Sequence, residues 1–196
     1  MLFDQIRAFL AHYVDLTPAE TRAIESRLIF REVPARHRLL ELGAVSQEVF
    51  FINRGAVRFY YLTEEGKDVT GFIFLENMFS GAHTSFFYQR PSHQIVETIE
   101  PSELLVLPYT DLQLLYTEVP KMHAFMERLL AERLSFAQEV LASFVLNKPE
   151  ARYRALLARR PELLGRVPQH ILSSYLGITP VSLSRIRKRL SEEGKL

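Results

Sequence analysis

In the segment VPQHILSSYLGITPVSLSRIRKRL, Val181, Ser184, Arg185 and Lys188 recur at three- and four-residue spacing, with Ser182 and Arg189 on the flank. On a helix such residues share one face. Each type has a defined chemistry toward a polyanion with readable edges. An arginine fork can bond guanine O6 and N7 bidentately, and an exposed valine can meet a thymine methyl. Thr179 and Ser182, beside the free N–H groups of a helix start, can hold a phosphate, and Lys188 and Arg189 add charge contacts.

The elements that must hold this face are legible around it. Leu183, Ile186 and Leu190 form an apolar stripe opposite, with Thr179 as N-cap and Pro180 at the first helical position. Upstream, Pro168 opens a helix whose Ile171, Leu172, Tyr175 and Leu176 recur on one side until Gly177 stops it. Two short helices joined by a glycine turn predict a helix-turn-helix. A formal net charge of +1 hides a division: residues 148–196 hold 11 Lys and Arg against 4 Asp and Glu, the first 147 residues 13 against 19. Face, caps and local charge together predict binding to double-stranded DNA. The competing reading is a non-DNA module, a β-rich ligand- or protein-binding body with a basic docking end.

Helical spacing marks the first thirty residues, with Phe3, Ile6, Phe9, Leu10 and Tyr13 on one face. A second helix follows, with Thr17, Pro18 and Glu20 forming its capped start. Between Phe30 and Pro108 the glycines and prolines cut the chain into short apolar strands. VFFI, AVRFYYL and DVTGFIF read as a three-strand meander, and QIVETIEP and ELLVLP supply two more. From Met122 to Val145 an apolar stripe runs for about 24 residues, ~36 Å of helix at 1.5 Å per residue. Met122, Phe125, Met126, Leu129, Phe136, Val140 and Phe144 on it are expected to meet the same helix of a second subunit.

Other chemistries are excluded by composition. The 196 residues contain no cysteine, which removes disulfides, thiolate metal sites and a thiol nucleophile. His83, His93 and Glu97 share one stretch but match no metal-ligand spacing, haem through His37 or His83 has no further support, and no nucleophile–base–orienter set emerges among the six histidines. No metal, no cofactor and no enzymatic activity are expected. Apolar runs fall short of the roughly 18 residues of a membrane span, and MLFDQIRAFLAHYVDL lacks the form of a secretory signal. A cytoplasmic location without membrane contact is the expectation.

FINRGAVRFYYLTEEGKDVTGF, the long helix and LSSYLGITPVSLSRIRKRL together resemble the Crp/Fnr-type transcription regulators. The resemblance implies an α+β chain: a jelly-roll-like, cyclic-nucleotide-binding-like β-roll with flanking helices over residues 1–118, a dimerisation helix over 119–147, and a helix-turn-helix domain over 148–196. It also implies a homodimer on a pseudo-palindromic operator, RNA polymerase as a partner, and base contact by Arg185. Two departures stand out. Members that bind cyclic AMP hold it with a Gly-Glu pair and, further on, an Arg followed by Ser or Thr. Here Gly81 is followed by Ala82 and His83, Ser92 and His93 stand at the later pair, and Arg90 lies two places off. A degenerate effector pocket follows, with no tight binding of cyclic AMP or cyclic GMP and an unknown effector. The second departure is SEEGKL, where the family adds a β-hairpin wing, so a short or missing wing is expected.

Overall fold

The computed structural model describes residues 2–192, so most of the SEEGKL segment that bears on a wing lies outside the described residues. Two compact units result: Met1–Tyr61 with Phe72–Leu134, and Leu62–Gly71 with Ser135–Leu196.

The first unit opens with α1 (Asp4–Tyr13) and α2 (Pro18–Glu25). Thr17 closes the expected capping box: its Oγ1 accepts the Glu20 N–H at 3.2 Å, and the Glu20 carboxylate accepts the Thr17 N–H at 2.8 Å. There follow β1 (Ile29–Val33), β2 (Arg38–Leu40), β3 (Glu48–Arg54), β4 (Val57–Leu62), β5 (Asp68–Phe74), β6 (Phe79–Ser80), α3 (His83–Tyr88), β7 (Ile95–Thr98), β8 (Ser102–Pro108), α4 (Tyr109–Glu118) and α5 (Lys121–Leu146). The strands form two four-stranded sheets, ordered β1-β8-β3-β6 and β2-β7-β4-β5.

This order corrects the meander. β3 pairs with β8, Phe50 opposite Val106 and Phe51 opposite Leu105, and lies in a different sheet from β4. The chain turns a corner because the register slips between Ile52 and Arg54 and Gly55 follows at φ +104°. A bulge bends a strand and raises its twist. A side chain at Gly55 would place Cβ 2.8 Å from the Ser102 Cα, so glycine is required there.

β3 and β8 are covered on both faces, which is why VFFI and LLVL read as unbroken apolar runs instead of alternating ones. Val49, Phe51, Leu105 and Leu107 join the helical core with Ile6, Leu10, Ile24, Leu112 and Leu115. There the Phe9 ring lies 5.4 Å from Phe51, 5.7 Å from Phe79 and 6.2 Å from Phe125, separations at which tilted aromatic pairs attract.

The second unit contains the C-terminal half of α5, then α6 (Pro149–Arg159), α7 (Leu163–Arg166), α8 (Gln169–Tyr175) and α9 (Pro180–Glu192). Its core gathers Tyr153, Leu156, Leu163, Ile171, Leu172, Leu183 and Leu190, all buried. The Leu62–Gly71 hairpin is fastened to it by Ser174, whose hydroxyl accepts the Thr70 N–H at 2.9 Å and donates to the Asp68 carbonyl at 3.3 Å. Among the described residues no helix is long and apolar enough to cross a membrane.

Candidate nucleic-acid interface

The joint between α8 and α9 is built by backbone chemistry. At the end of α8 the Gly177 N–H bonds the Ser174 carbonyl at 2.9 Å and the Ile178 N–H bonds the Ser173 carbonyl at 3.0 Å. This paired closure needs a left-handed residue, and Gly177 sits at φ +66°. Thr179 then caps α9, its Oγ1 accepting the Ser182 N–H at 3.2 Å. Leu183, Ile186 and Leu190 turn inward as expected.

What remains outside is the predicted face. Thr179, Pro180, Val181, Ser184, Arg185, Lys188 and Arg189 are exposed, Ser182 is half-buried, and Val181 keeps 61% of its surface open. The cations differ in commitment. Arg187, half-buried, bonds the Tyr153 hydroxyl at 3.2 Å and lies 5.8 Å from its ring centroid. It braces α9 on α6. Arg189 is bonded to Glu150, which also holds Arg154 at 2.9 Å, and Lys188 has Glu192 at 3.9 Å. Arg185 makes no ion pair or hydrogen bond among the described residues, so its fork is available.

Sequence reading missed Arg152. From α6 it donates to the Leu176 carbonyl through Nε at 3.1 Å and Nη2 at 2.9 Å, and to the Asn147 carbonyl at 2.8 Å. It thereby satisfies an end carbonyl of α8. An arginine on an amphipathic helix carries no mark that separates such a clamp from a solvated charge.

The six residues of the degenerate effector pocket behave otherwise. Gly81 and Ala82 are buried between β6 and α3, a helix the sequence did not suggest. Ser92 is buried, but its hydroxyl is used locally, donating to the Gln94 carbonyl at 2.9 Å and accepting the Gln94 N–H at 3.0 Å. Arg90 and His93 point to solvent, Arg90 lying 6.0 Å from the Tyr88 ring centroid. His83 lines a small apolar void with Val49, Phe79, Leu107, Phe125 and Met126. Burial, with Arg133 adding to it, pushes the imidazole down to about 4. The nearby aromatics are packed: Phe72 and Phe74 are buried with centroids 4.5 Å apart and Phe59 beside them. Among the described residues no cluster of three or more His, Asp or Glu forms a metal site.

The cyclic nucleotide-binding domain family matches residues 30–118, from β1 to the end of α4. The fumarate and nitrate reduction regulatory protein of Escherichia coli is 24% identical over 176 residues, covering 81% of this chain and 67% of that protein. Among solved structures, the catabolite activator protein of Thermus thermophilus is 26% identical, with a TM-score of 0.60 over 95% of this chain and 88% of its own. The c-di-GMP responsive global regulator of Xanthomonas campestris is 18% identical, with a TM-score of 0.72 over 91% and 93%. Over most of its length the chain is similar to Crp/Fnr-type regulators.

The long helix carries two apolar faces, and the structure corrects part of the expected subunit contact. Met122, Phe125, Met126 and Leu129 are buried in the first unit's own core. Phe136, Val140 and Phe144 continue the same side of α5 and line a cavity with α6. All seven were expected at a subunit contact; the first four are instead core of their own unit, whereas Phe136 and Val140 stay half-buried and Phe144 is 42% exposed. Leu130, Leu134, Leu141 and Val145 are 37%, 62%, 65% and 74% exposed. With Ala137 they recur every three or four residues on a stripe roughly 100° around the helix from the first.

Proposed function

We propose that this Crp/Fnr-type protein acts in the cytoplasm as a homodimer that binds a pseudo-palindromic operator and regulates transcription by contact with RNA polymerase. It works by binding, not by catalysis. The observation that carries the reading is the outer face of α9, where exposed Val181, Ser184, Arg185 and Lys188 surround one uncommitted guanidinium on a helix buried on its other side. α9 enters the major groove, Arg185 bonds a guanine edge, Val181 meets a thymine methyl, and Thr179, Ser182, Lys188 and Arg189 hold phosphates. The Leu130–Leu134–Ala137–Leu141–Val145 stripe supplies the two-fold contact, with half-sites about 34 Å apart.

Cyclic AMP is not the effector in this reading. Ala82 offers no carboxylate to a ribose and Ser92 no cation to a phosphate. A randomised duplex library selected by the ligand-free protein, followed by salt titration on the enriched sequence, tests the proposal. An enriched palindrome is expected, with affinity falling about a thousandfold between 50 and 200 mM salt if some six phosphates are contacted. Salt-insensitive, sequence-blind retention overturns it.

A further inference from the structure

Between the C-terminal half of α5, α6 and the end of α8 lies a cavity of about 310 Å³. Its walls are apolar, with Phe136, Val140, Leu156 and Leu176 among them. Its rim is cationic. Arg159 is 73% exposed and holds the Glu139 carboxylate at 3.1 Å, a solvated pair of small net value that an incoming carboxylate can replace. Arg160, paired with the half-exposed Glu162 at 3.7 Å, lies beside Tyr175, whose hydroxyl burial pushes above its ordinary range although Arg160 pulls the other way, so it stays a neutral donor. Of the α5 residues lining the cavity, Phe136, Val140 and Ser143 sit roughly 120° around the helix from the exposed stripe and Phe144 about 60°.

The same walls touch the helix-turn-helix joint. The Phe144 ring packs so closely on Gly177 that an added Cβ would lie 2.7 Å from its Cε1. The Arg152 guanidinium stacks over that ring at 4.6 Å while holding the Leu176 carbonyl. An apolar cavity with a few placed polar groups is the usual form of a small-molecule site.

We propose that this cavity binds an organic monoanion with an apolar body, its carboxylate held by Arg159 and Arg160, and that occupancy reaches the α8–α9 turn through Phe144 and Arg152. The consequence for operator affinity rests on the DNA-binding reading; binding and its effect on the turn do not.

The test uses the full chain without DNA. 8-Anilinonaphthalene-1-sulfonate serves as fluorescent probe, displaced by decanoate or 2-naphthoate, with decylamine and decanol as controls of equal chain length. Either acid should displace the probe at least tenfold better than the amine or alcohol and alter amide hydrogen exchange at Leu176–Thr179. Val140→Trp, which fills the cavity, should abolish the displacement. Arg159→Ala, at an exposed side chain, should weaken the acids about tenfold while leaving thermal stability unchanged. Displacement by neither acid, equal displacement by amine and acid, or unaltered exchange at the turn overturns the proposal. Decanoate should also shift half-saturation of the selected operator at least threefold; altered exchange without such a shift removes DNA regulation and leaves the site.

Discussion

The outer face of α9 and the β6–α3 turn hold similar numbers of polar residues, yet they put them to opposite use. On α9 one buried stripe of Leu183, Ile186 and Leu190 fixes the helix, and the far side keeps Val181, Ser184 and Arg185 exposed to a partner. At β6–α3 and the loop after it, several side chains of the expected effector pocket serve the protein itself. Ser92 bonds its own loop, Ala82 packs, and His83 sits among apolar side chains. A site is retained where its groups are held by neighbours but not satisfied by them.

The sharpest way to break the α9 reading is to remove the second copy. Leu134→Glu with Leu141→Glu alters two exposed side chains, so each protomer should keep its fold by circular dichroism. Operator affinity should fall about 10²–10⁴-fold, the gain that linkage of two half-sites confers, with a monomer in sedimentation. A variant that stays dimeric moves the subunit contact elsewhere.

Next in size is Arg185→Ala. Loss of about 1–3 kcal/mol of operator binding, with relaxed preference at one position of each half-site, is expected from a bidentate guanine contact. An even loss across all sequences would reduce Arg185 to a phosphate contact and leave base reading to Val181 and Ser184.

These tests concern residues whose placement local sequence dictates. Thr17 and Thr179 read as caps because capping involves neighbours three residues away, and the α9 stripe reads as buried because its period is that of one helix. What escaped depends on long-range pairing. The Asn53-Arg54-Gly55 turn resembles a hairpin, but β3 finds β8 some fifty residues later, and no local signal separates a corner from a hairpin. On α5 the apolar residues span two faces, and only the arrival of α1, β3 and β8 shows that Phe125 and Leu129 belong to the chain's own core. Arg152 and Arg187 look like surface charge until α8 and Tyr153 are in place.

At the β6–α3 turn, acid provides a measure of how far the region has become core. The His83 pKa lies near 4, against 6.5 for the free side chain, so the unfolded chain binds the proton first. Stability contributed by neutral His83 is present above pH 6.5 and is lost as pH falls toward 4. On the order of 2 kcal/mol should disappear across that window in urea melts, and His83→Leu should flatten this part of the profile. An unchanged profile would mean that the imidazole is hydrated and the void open to a ligand.

The smallest effect expected is none, and it bears on the same turn. Millimolar cyclic AMP should leave the melting transition where it is, because a cyclic phosphate needs a fork and a ribose needs an acceptor, and polar ligands gain their affinity from such placed groups. Arg90, two places from the expected position, faces solvent beside Tyr88. A ligand present at a hundred times its dissociation constant stabilises by about 2.7 kcal/mol, so a shift of that order would show that the loop carrying Arg90 rearranges, and that the turn which looks closed is a site awaiting its ligand.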